Sequence, residues 1–367
     1  MASVLNGQSL ADGMIARVDA QARPAVQDLV YGTLRSYGRG DFLLSRLLAK
    51  PLMVPEIRTL LLAALYRLET RPDAAHTVVD QAVVAAGELE NGRFRALVNG
   101  VLRNFLRQQG ELLQAIEEDD IAANQHPAWW LARLRAAWPE DWAKIVAAGN
   151  SPPPMALRVN LRKTSVAAYQ AQLLEAGIVA VPDGEAALLL EKPLAVDRLP
   201  GFAEGLVSVQ DPGAQHAAVL LNPSPGSRML DACAAPGGKA AHLLESAAIE
   251  LTAVESDNER CAALTRALAA SRFPADRNVQ VICADAADTV APWAKRPFDA
   301  ILLDAPCSGS GVAGRHPDAK WLRRNDDVYA LARTQKRLLK ALWPLLKPGG
   351  RLLYGTCSVF ALENQTQ

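Results

Sequence analysis

From Leu206 onward, short apolar runs recur between stretches of helical periodicity, and this alternation constrains the fold more than any other feature. The runs are Leu206-VSVQ, Arg228-MLDAC, Leu251-TAVE, Val279-QVICAD, Phe298-DAILLD and Gly350-RLLYGTC, with helical patterns over 234–246, 259–272 and 328–346. Strands joined through helices build a mostly parallel sheet covered on both faces. Ligands of such sheets gather outside the carboxyl ends of the strands.

The preceding residues read differently. Apolar residues recur at helical spacing through Ala25-VQDLVYGTLRSYG, Ile57-RTLLLAALYRLE, Val78-VDQAVVAAGELE and Phe94-RALVNGVLRNFLRQQ, which predicts an all-α domain over 1–145. Trp129, Trp130, Trp138 and Trp142 are expected to pack in its interior rather than to stack on bases. Ser151-Pro-Pro-Pro154 marks a boundary. A small α/β domain is predicted over 146–205, and the alternating domain over 206–367. No apolar run approaches ~18 residues, which excludes a membrane-spanning helix. The start lacks the order of a secretory signal, so a cytoplasmic protein is expected.

Lys+Arg and Asp+Glu both total 39, so net charge points to no partner. Its distribution says more. Between Ile301 and Arg351 stand ten Lys/Arg against four acids, and the stretch 91–107 carries Arg93, Arg95, Arg103 and Arg107 without an acid. Both are candidate phosphate-contacting surfaces.

Met229-LDACAAPGGKAAHLLE245 reads as a strand, a turn of small residues and a helix. Gly237 and Gly238 permit close approach of a ligand, and the helix start offers unpaired amides. The dinucleotide and phosphate-loop fingerprints are missing. That favours an adenosine-type ligand without a phosphate chain over NAD or ATP, and disfavours a nicotinamide dehydrogenase. Glu255, at the end of the next strand, is placed to accept from ribose hydroxyls. Asp285, at the end of the strand after that, is placed to meet an adenine amino group. Three strand-end sites in succession are the layout of an S-adenosylmethionine (AdoMet) site.

The five cysteines Cys233, Cys261, Cys283, Cys307 and Cys357 contain no CxxC pair, which argues against structural zinc, and no metal is expected. Cys307 and Cys357 both follow strand runs, so neighbouring strands would bring both thiols to one cavity. Two such thiols beside a carboxylate form a coherent set for methylating C5 of cytosine. That carbon becomes nucleophilic only after a thiolate has added at C6. Asp304 is placed to hydrogen-bond the ring, and a second acid/base must remove the C5 proton. The chemistry alone leaves open which cysteine attacks.

Asp231-ACAAPGGK239, Asp304-APCSGSG311, Arg315-HPDAKW321 and Thr356-Cys-Ser358 together resemble the bacterial ribosomal RNA cytosine-C5 methyltransferases of the RsmB (Sun/Fmu) type. Asn99-GVLRNF105, Pro153-PMALRVN160 and Val207-SVQDPGAQ215 extend the resemblance over essentially the whole chain. It implies a multidomain fold: an all-α NusB-like RNA-binding domain, a small α/β linker domain and a Rossmann-like α/β AdoMet-dependent methyltransferase domain. It implies Cys357 as nucleophile, Cys307 as the group that assists release of the methylated base, and Asp304 beside them. The implied AdoMet contacts are Cys233, Ala234, Ala235, Pro236, Gly237, Gly238, Lys239, Glu255, Asp285 and Asp304. The implied partner is 16S ribosomal RNA, unassembled or partly assembled into the small subunit, with the enzyme a monomer away from membranes.

Three departures stand out. Position 255 is Glu where the family often has Asp, and Ala313-Gly-Arg-His replaces a more basic run. Only ten residues follow Cys357, so the catalytic domain is expected to be incomplete at its C-terminus, with an exposed final sheet edge. The alternatives are the same chemistry on transfer RNA or another RNA, and a non-catalytic RNA-binding or ribosome assembly factor.

Overall fold

The computed structural model describes residues 1–10, 13–270 and 278–367. They fall into two compact units: Met1–Pro153 with Ser308–Tyr329 and Cys357–Ala361, and Pro154–Cys307 with Ala330–Thr356 and Leu362–Gln367.

Helices make up the first unit. They are α1 (Ala2–Leu5), α2 (Arg23–Arg35), α3 (Tyr37–Leu47), α4 (Pro55–Thr70), α5 (Ala75–Glu88), α6 (Arg95–Arg107), α7 (Gln109–Glu117), α8 (Asp120–Asn124), α9 (Ala128–Ala137) and α10 (Trp142–Asn150). Proline in the first turn opens α4, where its missing amide costs nothing. Ile57, Leu61, Leu65 and Leu68 then line one face and are fully buried against Val98, Leu102 and Phe105 of α6. Each such side chain contributes about 1.5–3 kcal/mol by leaving water. Gly32 lets α2 approach α4, because a Cβ there would lie 2.2 Å from the Tyr66 hydroxyl. On the far side of α6, Arg95, Arg103 and Arg107 are exposed.

The segment 314–322 belongs to this unit, and much of its polar chemistry is buried. Lys320, fully buried, donates to the Arg35 carbonyl at 3.1 Å and to Asn150 Oδ1 at 2.8 Å. Trp321 Nε1 donates to the Leu34 carbonyl at 2.8 Å, and the Arg35 guanidinium returns two bonds to the Gly314 carbonyl at 2.9 and 2.8 Å. Asp318 accepts from Ser9 Oγ and Leu10 N, both at 2.9 Å. The last carbonyls of α2, orphaned by the helix end, are thereby capped. Lys320 therefore leaves the candidate phosphate surface, which corrects the reading of this basic run.

The second unit carries two sheets. β1 (Met155–Val159), α11 (Val166–Glu175), β2 (Ala180–Pro182), β3 (Ala187–Leu190) and β4 (Val207–Val209) form an antiparallel sheet of order β2-β3-β1-β4 with one helix packed on it. The run at Leu206, read as the first strand of the parallel series, instead pairs with β1 through Val159↔Val207 and Leu157↔Val209. Periodicity shows that a strand forms, not which neighbour it finds. Here Asp211 caps the next helix by accepting from Gly213 N at 2.9 Å, and the strand ends before the larger sheet begins.

That sheet follows as α12 (Pro212–Leu221), β5 (Arg228–Ala232), α13 (Gly238–Ser246), β6 (Glu250–Glu255), α14 (Asn258–Ala270), β7 (Asn278–Cys283), β8 (Phe298–Asp304), α15 (Ala319–Leu322, within the first unit), α16 (Asn325–Leu342) and β9 (Leu346–Gly355). The last two residues of the predicted 259–272 helix lie outside the described residues. All five strands are parallel, in the order β7-β6-β5-β8-β9. The chain runs outward from β5 to β7, then returns to β8 on the other side of β5, which makes a switch point between β5 and β8. Met229, Leu251 and Leu302 are buried on one face, and Leu230, Val254, Ile301 and Leu303 on the other with Leu338 and Leu342 of α16.

Burial, with the Arg35 charge second, lowers Lys320 to about 7. Between about 7 and the ordinary lysine value the unfolded chain binds a proton that the folded chain does not, so stability should rise with pH across that window. Lys320→Met should remove this component. Urea unfolding of both forms at pH 6.5 and 9 measures it, and identical pH slopes would show that another group is responsible.

Candidate active site

The glycine turn leaves β5 through a backbone position that few side chains tolerate. Cys233 has φ +64°, in the left-handed region, and Gly237 follows with φ +105°. A Cβ on Gly237 would lie 2.9 Å from Leu264 Cδ1, so glycine serves there both for conformation and for close packing. α13 then starts at Gly238. Its first turn is held from the small sheet by Arg158 of β1, which donates to the Gly238 carbonyl at 2.8 Å and to Gln210 Oε1. Arg158 also makes two bonds to Glu245, at 3.0 and 2.8 Å, and its side chain is fully buried. Removing one partner of such a pair costs about 3–5 kcal/mol, because the other charge stays buried. The reading of the sequence missed Arg158; its only signal there is a cation inside an otherwise apolar strand.

Of three acids expected at strand ends, Glu255 and Asp304 end their strands and Asp285 lies just past its own, each in a different environment. Glu255, the last residue of β6, is 2% exposed. It accepts from Ser256 N at 2.9 Å, Asp257 N at 3.1 Å and Ala235 N at 3.3 Å, and Arg260 lies 3.5 Å away. The carboxylate thus ties the glycine turn to the start of α14. Asp285 stands two residues beyond β7, half exposed, with Arg337 at 2.8 Å. The Arg337 hydrogen bond holds its carboxyl below the usual range. Asp304 ends β8 and accepts from Lys239 Nζ at 2.5 Å, which joins the glycine turn to the neighbouring strand across the switch point.

Asp231 was quoted in the motif but assigned no role. It is 1% exposed, and among the described residues neither carboxylate oxygen has a hydrogen-bond partner. Burial, then the Asp304 charge, push it up to about 8. Two bare oxygens buried beside the glycine turn call for a donor from a ligand. Burial and the charges of Glu255, Asp231 and Asp304 push the Cys233 thiol up to about 12, which favours its protonated form at neutral pH.

Cys307 stands three residues past Asp304, and Cys357 two past Gly355, the last residue of β9. Asp304 and Gly355 are register partners in the parallel β8–β9 pair. Ala305 N donates to the Gly355 carbonyl at 2.9 Å, which carries the ladder one residue beyond β8. Cys307 is half-buried and Cys357 exposed. Gln335, fully buried on the apolar face of α16, donates to the Pro306 carbonyl at 2.9 Å and to Glu363 Oε1 at 3.1 Å. An amide in an apolar stripe was the available signal for it. Trp138, expected to pack, also donates through Nε1 to the Val359 carbonyl at 2.7 Å. Cavities of about 370 and 510 Å³ in the second unit lie elsewhere. One is lined by Asn222, His242 and Glu245, the other by Asp299, Lys347 and Gly350, and neither includes an expected site residue.

Three family models match the chain in order. They are the NusB family over residues 5–107, an RsmF/B-like ferredoxin-like domain over 126–197, and 16S rRNA methyltransferase RsmB/F over 218–367. With the parallel sheet, they define a methyltransferase preceded by a NusB-like helical domain and a ferredoxin-like linker. Ribosomal RNA small subunit methyltransferase B of Vibrio cholerae is 44% identical over 98% of this chain and 84% of its own length. Its counterpart in Pseudomonas putida is 44% identical over 99% and 85%. The crystal structure of PH0851 has the same fold, with a TM-score of 0.78 at 24% identity, over 95% of this chain and 80% of that one. The chain belongs to the RsmB/F family of 16S rRNA methyltransferases.

Asp231 yields a prediction of opposite sign to that for Lys320. The folded state holds its proton up to about pH 8 and the unfolded state loses it near 4, so this residue lowers stability as pH rises through that interval. Asp231→Asn should stabilise the ligand-free protein more at pH 8 than at pH 4.5. Urea midpoints at both values test this, and an equal shift at both would remove the carboxyl as the cause.

Proposed function

We propose that the chain transfers a methyl group from AdoMet to C5 of a cytosine in 16S ribosomal RNA, with Cys357 as nucleophile. One observation carries this reading: in the β8–β9 pair Asp304 stands opposite Gly355, so the P-C and T-C-S loops begin side by side, next to the strand that bears the glycine turn.

The protein's residues fit the cofactor. The turn from Cys233 to Lys239 would hold its methionine portion, with the bare Asp231 carboxyl as acceptor for the ammonium group. Glu255 would accept from ribose hydroxyls in place of the long bonds it receives from Ala235 N at 3.3 Å and Ser256 Oγ at 3.4 Å, and Asp285 would meet the adenine amine. When bound, AdoMet supplies an electrophilic methyl on a sulfonium.

The target base must be unpaired, or leave its helix, before a thiol can reach it. The Cys357 thiolate then bonds to C6, and the electron pair of the 5,6 double bond becomes available at C5. Asp304, kept in place by Lys239, hydrogen-bonds the ring edge as charge develops there. C5 would then be the nucleophile for the methyl that a bound sulfonium donor supplies, with the thioether as leaving group. A base then removes the C5 proton, the double bond re-forms and the Cys357 thiolate leaves. Cys307 assists this last stage. Exposed Arg95, Arg103 and Arg107 on α6 offer charges for RNA phosphates.

Methyl transfer to 16S rRNA lacking the modification should be abolished by Cys357→Ala, read as radiolabel incorporation. Retained transfer would remove Cys357 from the mechanism. Cys307→Ala should instead accumulate a covalent protein–RNA species on a denaturing gel. Lost turnover without that band would show that Cys307 acts before the adduct forms.

A further inference from the structure

The main chain around Cys357 is held by an array of serine hydroxyls that the reaction scheme does not use. Each hydroxyl accepts one backbone amide: Ser308 from Ser310 N at 3.3 Å, Ser358 from Phe360 N at 3.1 Å and Ser310 from Val359 N at 2.9 Å. The first two bonds span two residues and close a small turn within each loop. The third crosses between the loops. The hydroxyls also bond one another, with Ser358 Oγ 3.2 Å from Ser308 Oγ and 2.9 Å from Ser310 Oγ. Ser308 and Ser310 are 1% and 4% exposed, so water does not compete for these bonds.

Gly311 adds a second, independent constraint. Its amide donates to the Cys357 carbonyl at 2.8 Å. A Cβ on Gly311 would lie 3.0 Å from that oxygen and 3.4 Å from Val359 Cγ1. Downstream, Phe360 is buried with its ring edge-on to Trp130 at 5.1 Å. The peptide after Cys357 is therefore held at its carbonyl, at the next side chain and at the two following amides.

We propose that Ser310, acting with Ser308, Ser358 and Gly311, is a positioning residue that fixes the direction of the Cys357 side chain for attack. The proposal rests on the reading of Cys357 as nucleophile. A hydroxyl suits the task because it is short, turns about one bond and can accept an amide while donating onward. Attack at C6 requires sulfur and carbon ~3–3.5 Å apart and aligned, and a misplacement of ~1 Å costs up to ~100-fold in rate. An alanine at 310 removes the acceptor that bridges to the Val359 amide, whereas an alanine at 311 pushes on the Cys357 carbonyl from the same side.

The test uses the full chain with Ser310→Ala and, separately, Gly311→Ala. Methyl transfer to undermodified 16S rRNA gives kcat and KM. Iodoacetamide labelling without RNA or cofactor, read by peptide mass spectrometry, reports Cys357, with exposed Cys283 as internal reference. The expected result is a fall in kcat of ~10–100-fold with KM for RNA within about twofold, and a changed Cys357 labelling rate against a constant Cys283 rate. Unchanged kcat and Cys357 labelling in both variants overturn the proposal. So does a loss shared by Cys283 labelling and thermal unfolding, which would make the serines general supports of the fold. Transfer retained by Cys357→Ala would instead overturn the underlying assignment of the nucleophile.

Discussion

The pairing of β8 with β9 sets where the two cysteine loops start, and the rest of the site is arranged around that register. Side chains along a strand alternate between faces, so a slip of one residue would send Ile301 and Leu303 to the wrong layer. Both are fully buried on the α16 side, while Leu302 faces the other core, which leaves one register from Ala300 to Asp304, beyond the shift that the pair makes between Phe298 and Ala300. The ladder then runs one residue past Asp304, through Ala305 N to the Gly355 carbonyl, before the loops diverge. Gln335 takes over at Pro306. The direction in which each loop leaves the sheet is thus decided by hydrophobic burial several residues earlier.

The acids at this edge outnumber the cations, and one of them, Asp231, keeps its proton, which suits the proposed ligand. Asp231, Glu255 and Asp304 face Lys239 and Arg260, and among the described residues neither Asp231 oxygen has a hydrogen-bond partner. A buried acid with its value pushed up, beside others of the same sign, favours a ligand that brings positive charge. A sulfonium with an ammonium group meets that condition, and a phosphate chain would not. The missing phosphate-loop fingerprint and this excess of acid therefore point to the same class of ligand by independent routes, one from the sequence and one from burial.

Legibility followed the range of the interactions. The parallel strands, the glycine turn and the strand-end acids were readable because each depends on a local pattern. The partner of β4 was not, since Val207 meets Val159 across nearly fifty residues of chain. Arg158, Gln335 and Trp138 share that difficulty. Each holds a backbone carbonyl far away in sequence, through a side chain whose type is compatible with an ordinary surface or core position. The tryptophans of α9 were read correctly as packing residues where they meet Phe360, yet Trp138 also fixes the cysteine loop through its indole nitrogen. A polar atom on an apolar body can do both, and composition does not separate the two.

The basic run between Ile301 and Arg351 shows how counting charges misleads when burial is unknown. Lys320 is enclosed and caps α2, Lys347 pairs with Asp299 at the amino end of the sheet, and Arg337 pairs with Asp285. Arg323 reaches the Ser308 carbonyl at 3.3 Å. Four of the ten cations are thus engaged within the protein, and Arg323 among them holds a carbonyl of one cysteine loop. The proposed presentation of a thiol to a base in fixed geometry would gain from side chains that cap and clamp, because their direction is set by the acceptors they bind. The α6 arginines meet no such demand from the core behind them. Val98, Val101, Leu102 and Phe105 hold that helix by its apolar side, and Arg95, Arg103 and Arg107 remain exposed, Arg103 bonded to Asn99 of its own helix at 2.9 Å, so a polyanion can replace water around them.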